Sequence, residues 1–133
     1  MDTRRKIVSA GEAVLAAGRW RRDGGQVALV TGYFDVLLAD HLRELGSVRN
    51  GAGRILLVAV VTSPPEPVQG TRARAEMVAG LAVVDYVIIA EDNAGLDALL
   101  RDIAVDVIVR NEAVHLRRMR QLIEHAQGRQ TGG

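Results

Sequence analysis

Cysteine is absent from this 133-residue chain. Disulfides, a thiolate nucleophile and Cys-ligated zinc or iron–sulfur sites are thereby excluded. Lysine is nearly absent as well: sixteen of the seventeen basic residues are arginine, and Lys6 stands alone. Chemistry built on a lysine, such as a Schiff base or a P-loop, has almost nowhere to sit. Aromatic residues make up 3%, too few for a base-stacking surface. The net charge of +1 gives no global attraction to nucleic acid or to an anionic membrane. The longest apolar run, Ile55 to Val61, is far shorter than a membrane span. The charged first residues, Met1 to Lys6, lead into no apolar stretch of signal-peptide length. These absences describe a soluble cytoplasmic domain with neither nucleic acid nor a membrane as partner.

What is present supports a folded core. Apolar residues reach 48% and charged residues only 25%, so neither collapse nor disorder is compositionally forced. The length fits one domain, residues 1–133, with 1–25 as an N-terminal helical extension and 128–133 as a frayed tail. Charge is uneven along it. Residues 1–25 carry six basic and three acidic groups, 26–109 six and eleven, and 110–133 five and two. Arg-rich, solvated terminal helices explain the basic ends, with an anion-binding face as the alternative.

Ser9-Ala10-Gly11-Glu12 has capping-box spacing and opens a helix that Asp23-Gly24-Gly25 stops. Val27–Val30 is an apolar, β-branched run read as a strand. A loop over Thr31–Asp40 leads to a helix over Asp40–Val48. Ile55–Val61 has no polar alternation, so it is a strand buried on both faces of a parallel sheet. Thr62–Gly70 holds all three prolines and is loop. The spacing then predicts a helix over Thr71–Val83, a strand over Tyr86–Ile89, a helix capped by Asn93 and running to Ile103, a strand over Val105–Val109, and a basic helix over Glu112–Gln127. Strands separated by single helices make a three-layer, doubly wound (Rossmann-like) α/β domain, a parallel sheet of four to five strands. Ligands of such folds sit outside the strands' carboxyl ends, which here carry the loops Thr31–Asp40, Thr62–Gly70, Glu91–Asn93 and Arg110–Asn111.

The segment Val27 to Leu45 reads VALVTGYFDVLLADHLREL. It resembles the signature of the cytidylyltransferase-like nucleotidyltransferases, a strand followed by N-G-x-F-D-x-L-H-x-G-H and a helix. The likeness is strongest to the adenylyltransferase domain that activates ADP-heptose precursors, and next to glycerol-3-phosphate cytidylyltransferase. Lys6-Ile7-Val8, Arg74 to Leu81, Val84-Asp85-Tyr86-Val87 and Val107 to Arg110 fit the same pattern in order. The resemblance implies a reaction in which a phosphate oxygen of a sugar or polyol phosphate attacks the α-phosphorus of an NTP and pyrophosphate leaves. Such a site works by positioning and charge neutralisation, with magnesium accompanying the triphosphate. It implies His41 and Arg74 as the catalytic charge stabilisers. Thr31, Gly32, Tyr33, Phe34, Asp35, His41, Arg110 and Asn111 are implied to frame a pocket for ATP or CTP, with no resident metal.

The chain also departs from the pattern. Leu38 stands in place of the first histidine and cannot donate a hydrogen bond. Asp40 replaces the small glycine and adds negative charge, and Gln69 aligns with a loop lysine. The Ser/Thr motif of the family's last helix start has no counterpart by Gly133. Losing one donor that stabilises developing charge costs roughly 3–4 kcal/mol of barrier, so weak or absent catalysis is expected. Plainer readings stand beside several residues. Asp40 serves as an N-cap, Asp35 as a tie within its loop, and Phe34 as core packing. Glu112, His115, Glu124, His125 and the cluster Arg117, Arg118 and Arg120 fall on solvated helix faces. Three functions follow: a nucleotidyltransferase, a non-catalytic nucleotide-binding regulatory module, and a protein-interaction scaffold or homo-oligomer with an open sheet edge.

Overall fold

The computed structural model describes residues 2–35, 39–50, 53–65 and 67–131, with backbone alone at 39, 40, 119 and 123–131. Four strands, β1 (Gln26–Gly32), β2 (Ile55–Val61), β3 (Tyr86–Ile89) and β4 (Val107–Arg110), form one sheet. Its order is β3-β2-β1-β4, and every pairing is parallel. The helices are α1 (Ala10–Arg22), α2 (Ala39–Arg49), α3 (Thr71–Ala79), α4 (Asn93–Asp102) and α5 (Glu112–Thr131). This is the three-layer Rossmann-like α/β fold that the alternation of elements predicts.

Side-chain alternation along the strands assigns the two layers. Ala28 and Val30 of β1, with Leu57, Ala59 and Val61 of β2, face Leu45 of α2 and Ala75, Val78 and Ala79 of α3. Val27 and Leu29, with Leu56, Val58 and Val60, face Ala13 and Ala17 of α1 and Leu96 and Leu99 of α4. Both faces of β2 are buried over its full length, as its unbroken apolar run requires. Helix α1 is an integral layer: Ala13 and Ala17 are wholly buried.

Two aspartates pin the amino ends of the strands. Asp85, just before β3, accepts from Leu57 N–H at 2.8 Å and pairs with Arg49 at 2.6 Å. Asp106, just before β4, accepts from Val27 N–H at 2.8 Å and pairs with Arg21 at 3.2 Å. The Val27 hydrogen bond, ahead of Arg21, holds the Asp106 carboxyl below its ordinary range. This use of Asp106 explains why β4 starts at Val107 and not at Val105.

Other boundaries also differ from the expectations. Helix α3 stops at Ala79, where Gly80 N–H closes onto the Glu76 carbonyl, so Leu81–Val83 are not helical. Asp92 caps α4, accepting from Gly95 N–H at 2.7 Å, and Asn93 is its first helical residue. Helix α2 begins at Ala39, which places Asp40 inside the first turn instead of at the cap. Helix α5 continues to Thr131, past the expected end at Gln127.

The connections β1–α2–β2 and β2–α3–β3 step in one direction, and α4 carries the chain back across the sheet to β4. The switch point therefore lies between the carboxyl ends of β1 and β4. At the β3 edge, Val8 N–H bonds to the Val87 carbonyl at 2.9 Å and partly covers the strand. Among the described residues no strand pairs with the outer edge of β4, where Val107 and Ile108 are 43% and 47% exposed.

Candidate functional site

The site grows from the turn that leaves β1. Thr31 is buried and its hydroxyl donates to Glu112 of α5 at 2.9 Å. Glu112 also receives the Thr62 hydroxyl at 3.5 Å, so one carboxylate spans the ends of β1 and β2. Phe34 is fully buried and adopts φ 48°, the left-handed region that a bulky residue rarely enters. That conformation turns the N–H groups of Tyr33 and Phe34 toward one acceptor. They meet Nδ1 of His115 at 3.1 and 3.4 Å.

His115 sits one turn into α5 and is 3% exposed. It does not lie on the solvated face that its spacing from Glu112 implies. Its ring packs edge-on against Phe34, with centroids 4.8 Å apart, and against His41 at 4.3 Å. Burial, then the charges of His41 and Arg118, push its pKa down to about 3, so the ring is neutral. His41, 2% exposed, is the third residue of α2. Three residues on, Glu44 pairs with Arg118, itself three residues beyond His115. Two facing helices thus each present a histidine and a charged residue at i,i+3 spacing.

Arg74 lies at the same end of the sheet with no exposure at all. Its Nη1 donates to the Tyr33 carbonyl at 2.8 Å and the Thr62 carbonyl at 2.6 Å. Its Nε donates to the Gln69 carbonyl at 3.1 Å, and its Nη2 to the Thr71 hydroxyl at 3.2 Å. Four of five donors are committed to the protein, so this arginine acts as a clamp across the loops after β1 and β2. Asp35 complements it. Its two carboxylate oxygens accept from Val68 N–H at 2.6 Å and Gln69 N–H at 2.8 Å. These bonds tie the proline-bearing loop after β2 to the β1 turn, where the sequence reading expected a tie within Asp35's own loop. Burial lowers the Arg74 pKa and the Asp35 charge opposes that shift.

Arg110 is exposed at the end of β4, and Asn111 N–H bonds to the Thr31 carbonyl at 2.9 Å. A cleft of about 100 Å³ opens beside Tyr33, Thr62 and Ser63, and it is walled by Glu91, Asp92 and Glu112. Three carboxylates make this cleft acidic. Among the described residues no group of three His, Asp or Glu side chains forms a metal site. No helix among them is long and apolar enough to cross a membrane. Leu38, the Asp40 side chain and Glu124–His125 lie outside the described residues.

The fold brings His41, Arg74 and the β1 turn, which the motif singles out, to one end of the sheet together with His115, which the sequence reading put on a solvated helix face. The available signal was positional. The first turn of a helix following the strand beside β1 must face the switch point.

No protein-family model matches this chain. Proteins called "Bifunctional protein HldE" are similar to it. That of Acidiphilium cryptum (strain JF-5) is 37% identical over 113 residues, covering 80% of this chain and 23% of the relative. That of Rhodopseudomonas palustris (strain HaA2) is 35% identical over 102 residues, covering 71% and 21%. That of Rhodopseudomonas palustris (strain BisA53) is 31% identical over 129 residues, covering 82% and 26%. The chain spans about a quarter of the length of these relatives.

Proposed function

The chain belongs to the cytidylyltransferase-like family of nucleotidyltransferases, and from that premise we propose a nucleotide-binding member with weak or absent turnover. The observation that carries this reading is the placement of His41. The second motif histidine is buried in the first turn of α2, against Phe34 of the β1 turn at the switch point. A helix amino end and an imidazole donor there suit a polyphosphate.

The ligand is ATP or CTP, with magnesium arriving as part of the metal–triphosphate complex. The acceptor is a phosphorylated sugar or alcohol. In the transfer, the acceptor's phosphate oxygen forms a bond to the α-phosphorus. The bond from that phosphorus to the bridging oxygen breaks, and pyrophosphate leaves with the electron pair. His41 would donate to the phosphate oxygens and Arg110 would balance their charge. Arg74 would hold the β1 turn in place without touching substrate. Leu38, Asp40 and Gln69 argue against fast turnover, since donors are lost and a carboxylate is added. The cytoplasm, where nucleoside triphosphates are made, is the fitting compartment.

The double variant Leu38→His, Asp40→Gly tests the reading. It is expected to bind ATP or CTP at least tenfold more tightly than the parent. Equal affinity would show that this loop is not a phosphate site.

The open β4 edge favours a second reading, a scaffold or homo-oligomer. Exposed Val107 and Ile108, on a strand whose outer edge pairs with no described residue, invite another chain. Light scattering on the parent and on Ile108→Lys decides it. A dimer that the variant dissociates supports this reading, and a parent monomeric at high concentration removes it.

A further inference from the structure

The His115 ring has one nitrogen that the fold uses and one that it does not. Nδ1 accepts two amides, from Tyr33 at 3.1 Å and Phe34 at 3.4 Å. An imidazole nitrogen that accepts carries no proton, so a neutral His115 holds its proton on Nε2. Nε2 is buried and has no hydrogen-bond partner among the described residues. A buried donor without an acceptor is destabilising and calls for a reason.

The surroundings supply one. His115 stands 4.3 Å from His41 between ring centroids, and its electrostatic neighbours are His41 and Arg118. Glu44 pairs with Arg118 through Oε1, and its Oε2 is buried with no hydrogen-bond partner among the described residues. His41 and His115 each lie in the opening turns of a helix, α2 and α5, whose amino ends favour an anion. Room for the ring is made by Gly32, where a Cβ would lie 2.3 Å from Cε1 of His115. The glycine that ends β1 thus seats a side chain of this protein.

We infer that His115 is a second phosphate-binding imidazole, whose Nε2–H donates to a nucleotide polyphosphate oxygen beside His41 and supplies the donor that Leu38 cannot. The inference rests on the nucleotide-binding reading above. The two amides fix the tautomer, so the donor is present without titration at neutral pH. No covalent step is involved.

The test compares the parent chain with His115→Asn by calorimetric titration with ATP, CTP and sodium tripolyphosphate, and with adenosine and cytidine as controls. Asparagine retains an acceptor for the Tyr33 and Phe34 amides and removes the Nε2 donor. Loss of a hydrogen bond to a charged oxygen predicts roughly tenfold to hundredfold weaker triphosphate binding, with nucleoside binding unchanged. If the parent binds triphosphate and the variant binds equally well or better, His115 is structural and the inference fails while the nucleotide reading stands. If the parent binds neither nucleotide nor tripolyphosphate, both fall. Nitrogen-15 NMR of the imidazoles in the parent chain keeps the question open to test if the variant does not fold. The Nε2–H tautomer and a shift of its resonance with tripolyphosphate are expected. The opposite tautomer, or no shift at saturation, overturns the inference.

Discussion

His115 rests on Gly32 so closely that a methyl group at residue 32 would lie 2.3 Å from its Cε1 and 2.5 Å from its Nδ1. The strand end and the helix that follows β4 are therefore fitted to each other across 83 positions of sequence. Gly32→Ala is expected to displace the ring, break the bonds to Tyr33 and Phe34, and destabilise the chain by about 1–3 kcal/mol. Urea unfolding of Gly32→Ala, His115→Ala and the double variant forms a cycle that isolates this contact. The double variant is expected to recover part of the loss. Strict additivity would mean that the two residues do not interact.

Acid should find the same histidine. Its pKa is about 3 in the fold and 6.5 when unfolded. His41 and Arg118 oppose its protonation together with burial, and Glu44 is engaged by Arg118. The unfolded chain therefore takes up this proton first. The stabilisation is complete above pH 6.5 and is lost progressively as pH falls toward 3, by up to about 1.4 kcal/mol per unit. Between pH 7 and pH 5 the loss from this residue is about 2 kcal/mol. His115→Asn, which cannot titrate, should flatten that part of the profile. Unchanged pH dependence in the variant would place the acid sensitivity elsewhere.

Arg74 and Asp35 make the end of the sheet rigid. Lysine at position 74 has one ammonium group and cannot reach the Tyr33, Thr62 and Gln69 carbonyls together. Arg74→Lys is expected to cost roughly 2–4 kcal/mol by leaving buried acceptors unpaired. Asp35→Asn should be destabilising in the same direction, because the Val68 and Gln69 amides lose their charged acceptor. Denaturant midpoints check both. Wild-type stability in Arg74→Lys would contradict the clamp.

Much of the architecture was legible in the residues. Unbroken apolar runs at Ile55–Val61 and Tyr86–Ile89 coincide with β2 and β3. Thr31 and Gly32 hid the end of β1, because a polar residue and a glycine interrupt the apolar run while the ladder continues to Val60 and Val61. Asp106 hid the start of β4 by serving as an anchor for Val27. At the site, His41 was visible because a contiguous motif surrounds it. His115 was not, since its partners lie more than 80 positions away and its spacing from Glu112 matches a solvated helix face. Arg74 was visible as a residue, but its role depends on carbonyls that only the folded loops bring together.

In the function proposed above, the β1 turn and His41 still form a nucleotide pocket. A thermal-shift series with ATP, CTP, GTP and UTP, each with and without magnesium, tests it most directly. A ligand at about 100 times its dissociation constant stabilises by roughly 2.7 kcal/mol, a rise of several degrees for a domain of this size. Such a rise is expected for ATP or CTP, reduced in His41→Ala. No shift with any nucleotide at millimolar concentration would contradict it and turn attention to the open edge of β4.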